Sequence, residues 1–197
     1  MRSISRQGPA HWAPISQDGI ATVTISMYQS SAGVFLQFLG SLSGLLDRAA
    51  ADAEKRKIDP SVLINARLYP NMYNLERQVG EAIRHAVLAC ALLAGVEPPV
   101  FPEAEPDIPR LKARITIATD FIRNLRPAQL NSAGQKQVTF TFRNGSTREF
   151  TGQSLLLTFS VPQFLFHITT AYDILRHCGV DLAKKDFLGP PTPLLQG

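Results

Sequence analysis

At 197 residues and 45% hydrophobic content, the chain is long enough to bury the core of one domain without a disulfide or a metal to stabilise it. Its net charge of +4 would permit nucleic-acid binding, but basic and acidic residues alternate and no aromatic residues are interleaved with the basic ones, so we expect no nucleic-acid partner. The two cysteines, Cys90 and Cys178, lie in apolar helical patterns and are expected to be free, which is typical of a cytoplasmic protein.

The N-terminal 22 residues show no regular pattern of apolar positions and are predicted to form a disordered extension. They also lack the continuous apolar segment of a secretion signal. A single bundle domain is expected over residues 23–189, followed by a flexible, proline-rich tail over 190–197.

The first long helix is predicted from Ser26 to Arg56, because its apolar residues recur every three or four positions and line one face. Asp59-Pro60 ends this helix, since proline cannot continue it. One helical turn from Val62 to Asn65 is the regular structure expected before the next long helix.

Two further helices follow the same logic. Asn74 can cap the second helix, whose apolar residues repeat every seven positions until Gly95 ends it. A proline-rich run from Pro98 to Pro106 is expected to be extended. The third helix begins near Asp107, shows the same repeat, and ends before Pro127.

The segment from Val138 to Phe150 is predicted to be a β-hairpin. Its apolar residues alternate with threonines, and Asn144-Gly145 has the chemistry of a turn. A three-residue loop from Arg143 to Gly145 is favoured over a two-residue turn, because it places Phe150 on the same face as Val138.

The fourth helix is predicted from about Gly152 to His177, with a kink at Pro162 because the carbonyl of Thr158 loses its donor there. The segment after Val180 lacks periodicity and is expected to lie on the surface. The fold class is therefore all-α, a four-helix bundle with one short β-hairpin before the last helix.

The stretch from Phe150 to Tyr172 carries no formal charge and is long enough to span a bilayer. Polar residues are spaced throughout it, Gln163 and His167 among them, and they would be costly in lipid. We therefore interpret the stretch as a buried helix of a soluble protein and expect no membrane partner.

Polar residues also accompany the apolar faces of the second and fourth helices. If these two tracks face each other they form a pocket for an unknown small molecule; alternatively, they satisfy one another's hydrogen bonds inside the core. The candidates are Asn74, Gln78 and His85 on the second helix, and Ser160, Gln163, His167 and Thr170 on the fourth.

A metal centre is a third interpretation of these residues. No two of the four histidines are three or four positions apart, so no helical turn presents a pair of imidazoles. Zn²⁺ and Ni²⁺ normally take three protein ligands, which makes His85 and His167 weak candidates that need a third ligand. The sequence also lacks a phosphate-binding loop, a nucleophile elbow and a Cys-x-x-Cys pair.

Several short motifs occur in the order found in a known family and together cover residues 23–189. They are Thr24-Ile-Ser-Met-Tyr28, Asp59-Pro60, Arg67-Leu68 with Pro70 and Met72, Gly95 to Pro99, Phe150-Thr-Gly152, Phe166 to His177, Gly179-Val180 and Asp186 to Gly189. Through these motifs the chain resembles domain-of-unknown-function family nineteen-ninety-three of the DinB/YfiT-like superfamily. The resemblance implies a DinB-like four-helix bundle, whose better-known relatives hold a divalent metal with three histidines and include thiol-dependent transferases.

Those relatives take two metal ligands from a His-x-x-x-His pair on the last helix, whereas Ala171 stands four residues after His167 here. We therefore expect a degenerate metal site in a small-molecule-binding or interaction module. A divalent-metal-dependent transferase or hydrolase is the alternative. A homodimer through the last helix is also expected, because that helix is apolar on more sides than three neighbours can cover.

Overall fold

The structure is a computed structural model that describes residues 25–103 and 106–190. The predicted extension over 1–22, and the predicted tail beyond Pro190, lie outside the described residues. The helices are α1 (Val34–Arg56, preceded by the π-helical turn Gln29–Gly33), α2 (Ser61–Asn65), α3 (Leu75–Ala94), α4 (Ile108–Arg123), α5 (Pro127–Asn131), α6 (Gly152–Ser154), α7 (Val161–His177) and α8 (Lys184–Leu188); the strands are β1 (Gln137–Thr141) and β2 (Thr147–Thr151). A π-helical segment, Leu155–Ser160, joins α6 to α7, and the three together form the last long helix.

The long helices begin and end at the predicted local signals. The Asn74 side chain accepts a hydrogen bond from the backbone N–H of Arg77 at 3.1 Å, and Gly95 ends α3 with a φ of +69°. Asp107 caps α4 by accepting from the backbone N–H of Arg110 at 2.7 Å. Each cap satisfies a donor that has no partner within its helix, which confirms the predicted starts.

Within the described ranges, four long helices pack around one core. α3 packs against α7 and α4, and α1 packs against α4 and α7. Phe35 and Phe164 meet edge to face in this core, with ring centroids 4.9 Å apart. Because the buried faces are those with regular apolar spacing, the bundle predicted from periodicity is confirmed.

The hairpin has the predicted register and loop. Val138 pairs with Phe150, and the N–H of Phe142 donates to the carbonyl of Ser146 at 2.8 Å, which closes a three-residue loop. Gly145 adopts a φ of +82° in that loop, a conformation that favours glycine. The apolar face of the hairpin forms a second small core against α3 and the last helix, made by Val138, Phe140, Leu155, Leu88, Leu92, Phe142, Phe150 and Phe159.

The last helix widens immediately before Pro162. The N–H of Val161 donates to the carbonyl of Leu156, five residues earlier, and Pro162 has no N–H of its own to donate. The irregularity predicted at this proline therefore takes the form of a π-helical segment on its N-terminal side. Such segments occur frequently at functional sites, and this one contributes Phe159 to the cavity described below.

The sequence does not predict two short helices, α5 and α8. The expectation that the segment after Val180 lies on the surface is wrong for Leu182, which is buried in the core. α8 is capped by Asp186, whose carboxylate accepts from the N–H of Ala183 at 2.7 Å. Phe187 then packs against the rings of Phe38 and Tyr172, with centroid distances of 5.4 and 5.7 Å. These partners lie far away in the sequence, so the periodicity of the segment could not reveal the helix.

Among the described residues, one helix, Gly152–His177, is long and apolar enough to cross a membrane by length and composition. Its inward residues Phe164 and Ile168 are fully buried against the other helices. These residues of the helix therefore belong to the core of the bundle.

Candidate functional site

A cavity of about 620 Å³ opens between α3, the last helix and the hairpin. This volume falls within the usual range of small-molecule sites. The cavity is lined by Tyr73, Glu81, Arg84, His85, Phe142, Arg143, Asn144, Ser146, Thr147, Arg148, Phe159, Gln163 and His167.

A hydrogen-bond relay from α3 orients the ring of His167. Its Nδ1 lies 2.7 Å from Oε1 of Gln78, and Nε2 of Gln78 donates to the carbonyl of Tyr73 at 3.2 Å. Because the amide nitrogen is committed to that carbonyl, the amide oxygen must accept, and Nδ1 of His167 carries the hydrogen. Burial lowers the pKa of His167, opposed in part by the charge of Glu81. The ring is therefore neutral at pH 7, with a lone pair on Nε2.

His85 on α3 is an enclosed and neutral ring. It lies nearly parallel to Phe140 and to His167, with centroid distances of 6.0 and 5.7 Å. Burial above all lowers its pKa to about 4, together with repulsion from Arg84 and, once that ring is protonated at acid pH, from His167. Its Nδ1 is buried and has no hydrogen-bond partner among the described residues. Such an atom costs about 1–3 kcal/mol, which favours a partner supplied by a ligand, an ion or a water.

Glu81 is a buried carboxylate held by arginines, with only 6% of its side chain exposed. Oε1 accepts from Nε of Arg143 at 2.7 Å and from Nε of Arg77 at 3.1 Å, while Oε2 lies 3.8 Å from Nη1 of Arg84. Burial by itself would raise the pKa of this carboxyl. The charges of the three arginines and the hydrogen bond from Arg143 outweigh that effect, so the pKa of Glu81 lies below its usual value and the group is ionised at pH 7.

Arg84 joins α3 to the hairpin at the edge of the cavity. Its Nη2 donates to the carbonyl of Thr141 at 2.9 Å, and its guanidinium lies 5.1 Å from the centroid of the Phe140 ring. Burial lowers the pKa of Arg84, Glu81 opposes this, and the charges of Arg143 and Arg77 lower it further. The guanidinium nevertheless stays charged, because an arginine pKa starts far above neutrality.

Glu81, His85 and His167 each offer one metal-ligand atom, and these atoms all lie within 4.8 Å of one another. Two imidazoles and one carboxylate form a donor set that binds zinc and related ions. Both rings are neutral, and the Gln78 oxygen on Nδ1 of His167 is the kind of outer hydrogen bond that orients a metal ligand. Arg143 and Arg77 both donate to Oε1 of Glu81, whereas Oε2 lies 3.8 Å from Nη1 of Arg84 and accepts no hydrogen bond among the described residues. The three residues therefore fit a divalent cation.

The cavity brings together four of the residues predicted for the site. His85, Gln163 and His167 line it, although they come from two helices that are distant in the sequence. Gln78 lies behind His167 and fixes its tautomer. The two polar tracks predicted on the second and fourth helices therefore face each other at these positions.

Three other predicted residues lie outside the cavity lining. Asn74 is used as the cap of α3, and the hydroxyl of Thr170 donates to the carbonyl of Phe166 at 2.8 Å within its own helix. Ser160 is fully buried at the end of the π-helical segment, and its Oγ has no partner among the described residues. The spacing that placed Ser160 on one track with Gln163 assumes an unbroken α-helix, which the wide turns before Pro162 interrupt. Thr170 lies in the regular part of α7 with Gln163 and His167, but outside the lining.

The charged residues of the cavity are absent from the sequence prediction. Glu81 had a readable signal, because it lies four residues before His85 and thus on the same face of α3. The spacing of the histidines alone does not reveal Glu81. No local sequence pattern indicates Arg143 and Arg148, because they reach the cavity beside α3 only when the hairpin packs against that helix.

The fold and this site define a helical-bundle protein whose cavity contains a cluster of one glutamate and two histidines. The family model of the domain of unknown function DUF1993 matches residues 27–188, and the chain belongs to that family. The chain is also similar to the crystal structure of a DinB family member protein from Shewanella denitrificans, with 32% sequence identity and a TM-score of 0.76 over 87% of this chain and 96% of that chain. This confirms the predicted DinB-like fold. No curated protein matches the chain.

Proposed function

We propose that this protein binds a small molecule in the cavity between α3, the last helix and the hairpin. The two histidine rings carry the proposal. His85 has a buried nitrogen without a partner among the described residues, and His167 has a lone pair on Nε2 because Gln78 fixes its other nitrogen. Enclosed polar atoms with unused hydrogen-bonding capacity favour a ligand that satisfies them.

The walls of the cavity support the same function. Phe142 and Phe159 contribute aromatic surface and meet edge to face with centroids 5.8 Å apart. Gln163 and Arg143 add polar groups at separate points of the lining. Aromatic walls combined with a few polar groups are typical of sites that orient a small organic molecule.

A pair of matched substitutions tests this function. Gln163 is half-buried in the cavity wall, whereas Gln153 is exposed at the start of the last helix and outside the lining. The change Gln163→Trp therefore fills the cavity, and Gln153→Trp adds the same side chain elsewhere. Both variants and the unchanged protein are screened by protein NMR against a library of small soluble fragments with equal numbers of acids, amides, alcohols and amines.

We expect some fragments to shift the resonances around His167 in the unchanged protein and in Gln153→Trp. The same fragments should cause no such shift in Gln163→Trp. The absence of any binding fragment would contradict the proposal. Equal binding by Gln163→Trp would contradict it as well.

A divalent-metal-dependent transferase or hydrolase is the second candidate function, and the convergence of Glu81, His85 and His167 favours it. These residues would hold Zn²⁺ or Ni²⁺. Such an ion polarises a carbonyl or phosphoryl group, or lowers the pKa of a bound water.

Elemental analysis and calorimetric titration of the EDTA-treated protein with Zn²⁺ test this second function. We expect one ion per chain and its loss in His85→Ala. The control is His177→Ala, because His177 is exposed at the end of α7. Less than about 0.2 ion per chain after titration excludes the metal-dependent function, given the tight binding expected of a true metal centre.

The homodimer through the last helix and the cytoplasmic location stay predictions. Leu157 and Phe166 are exposed apolar residues on that helix, with exposed fractions of 48% and 53%. Light scattering of the unchanged protein and of Phe166→Ser measures whether this surface joins two copies.

A further inference from the structure

We propose that the ligand of this cavity is an organic anion whose carboxylate or phosphate group binds to the three arginines of the lining. These are Arg84 on α3, Arg143 in the hairpin loop and Arg148 on β2. The inference rests on the proposed small-molecule function and names the chemical class of its ligand.

The charge of the lining is unbalanced. Its fixed charges are those of Arg84, Arg143, Arg148 and Glu81, three positive groups and one negative group among the described residues. Arg77 adds a fourth guanidinium at the same carboxylate. Since Glu81 neutralises at most one of these cations, the lining favours an organic anion over an organic cation.

Two of the arginines also have N–H groups that are not used in hydrogen bonds within the described residues. Arg143 uses Nε on Glu81, which leaves its two terminal nitrogens without a hydrogen bond among the described residues. The side chain of Arg148 has no hydrogen bond or ion pair with any residue that the structure describes, although it lines the cavity; only its backbone pairs, with Phe140 in the hairpin. A guanidinium presents paired N–H groups that match the oxygens of a carboxylate or a phosphate, so these two side chains are suited to grip such a group.

Glu81 acts here as a positioning residue. Its Oε1 is shared by Nε of Arg143 and Nε of Arg77, so both guanidiniums are anchored through one edge. Arg84 is anchored separately, through the carbonyl of Thr141. An anion bound among them offsets the mutual repulsion of Arg84, Arg143 and Arg77. The cations are therefore held in place before the ligand arrives, which reduces the entropy lost on binding.

The remainder of the ligand is apolar. Phe142 and Phe159 line the same cavity, and the stacked rings of His85 and Phe140 adjoin them. An aromatic or short aliphatic body fills this space. The expected ligand class is accordingly a small acid with an apolar body.

Four probes that share one aromatic ring test the ligand class. Benzoate and phenyl phosphate carry the two anionic groups, benzamide is the neutral counterpart of benzoate, and benzylamine is a cation. Affinities are measured by calorimetry at constant ionic strength, because screening changes exposed charge interactions. We expect the better anion to bind roughly ten-fold more tightly than benzamide, and benzylamine to bind most weakly. Which anion binds more tightly distinguishes a carboxylate ligand from a phosphate ligand.

Substitution of the arginines locates the anion. Arg143→Gln and Arg148→Gln should each weaken the better anion roughly ten-fold and leave benzamide unchanged. The control is Arg123→Gln, an exposed arginine on α4 that pairs with Asp120 outside the cavity. Thermal unfolding of each variant verifies its fold. Arg148→Gln is the safer change, because the exposed side chain of Arg148 has no hydrogen bond or ion pair to lose within the described residues.

The inference is overturned if benzamide or benzylamine binds as tightly as both anions, or if the arginine variants weaken benzamide equally. The inference also fails if none of the four probes binds, while library fragments still bind the unchanged protein and Gln163→Trp abolishes their binding. That last outcome leaves the proposed function intact. If no library fragment binds either, the proposed function fails together with the inference.

Discussion

Gln78 and His167 are 89 residues apart in the sequence, and their side chains meet across 2.7 Å in the interior of the bundle. The contact joins α3 to α7, and it decides which nitrogen of His167 faces the cavity with a lone pair. Gln78 can do this because its amide nitrogen is already bonded to the carbonyl of Tyr73. A single buried amide therefore links the packing of two helices to the chemistry of the site.

The relay should be visible in stability. Gln78→Leu keeps the volume of the side chain but leaves Nδ1–H of His167 without an acceptor, and we expect a loss of about 1–3 kcal/mol in the free energy of unfolding. Urea denaturation measures it. The control is Gln153→Leu on the exposed start of the last helix, which should change the free energy by less than about 0.5 kcal/mol. Equal effects in the two variants would contradict the relay.

Stability should also fall as the pH drops below neutrality. In the folded state the pKa of His85 is lowered to about 4 from a usual 6.5. The unfolded chain therefore binds a proton as the pH falls through 6.5, while the folded chain does not until about pH 4. The contribution of His85 to the free energy of unfolding is fully present above pH 6.5 and is lost by about pH 4. Between pH 7 and pH 5 this group alone should remove about 2 kcal/mol.

Urea denaturation in EDTA at several pH values measures this dependence, and His85→Phe should flatten it. His167, Arg84, Glu81 and Arg143 also face His85. The lowered pKa of His167 also makes stability fall as the pH drops, and this effect remains in His85→Phe. The lowered pKa of Glu81 affects stability only at lower pH, below the usual carboxyl range. An unchanged slope in His85→Phe would show that this ring titrates normally.

The fold was readable from the sequence where its causes are local. The spacing of apolar residues, the caps at Asn74 and Asp107, and the turn at Asn144-Gly145 all act within a few positions, and they predict the long helices and the hairpin. α8 depends on Phe187 meeting rings from two other helices, which is a property of the packed molecule alone.

The same distinction applies to the site. Gln78, His85, Gln163 and His167 interrupt apolar faces, so periodicity reveals them. Arg143 reaches Glu81 across 62 positions of sequence, because the hairpin folds back onto α3. Periodicity carries no information on such a contact. The positive charge of the cavity, on which the ligand class depends, therefore required the tertiary structure.

Glu81 should stabilise the bundle through its arginines. In Glu81→Gln a neutral amide faces Arg143, Arg77 and Arg84, whose mutual repulsion is then uncompensated. We expect a loss of about 2 kcal/mol in the free energy of unfolding at pH 7. The matched control is Glu149→Gln on the exposed outer side of the hairpin, where the change should be within about 0.5 kcal/mol. A combined Glu81→Gln and Arg143→Gln variant should recover part of the loss, and strict additivity would argue against a coupled pair.

Gly152 should be the least replaceable glycine at the junction of hairpin and last helix. Its N–H donates to the carbonyl of Lys136 at 2.8 Å, and a Cβ at this position would overlap the carbonyl oxygen of Ala133 and approach Cδ2 of Leu93 to 2.9 Å. Gly152→Ala must therefore push the backbone of the preceding loop away from α3, and we expect a loss of about 2–3 kcal/mol.

Gly134 provides the matched control in the same loop, because a Cβ there meets nothing within 4 Å. Gly134→Ala should be neutral or slightly stabilising, since it restricts the unfolded chain. Thermal and urea denaturation measure both variants. The hairpin carries Arg143 and Arg148, so Gly152→Ala should also weaken binding of the better anionic probe, while Gly134→Ala should not. If Gly152→Ala is as stable as Gly134→Ala, the close approach of Gly152 to Ala133 does not exist in solution.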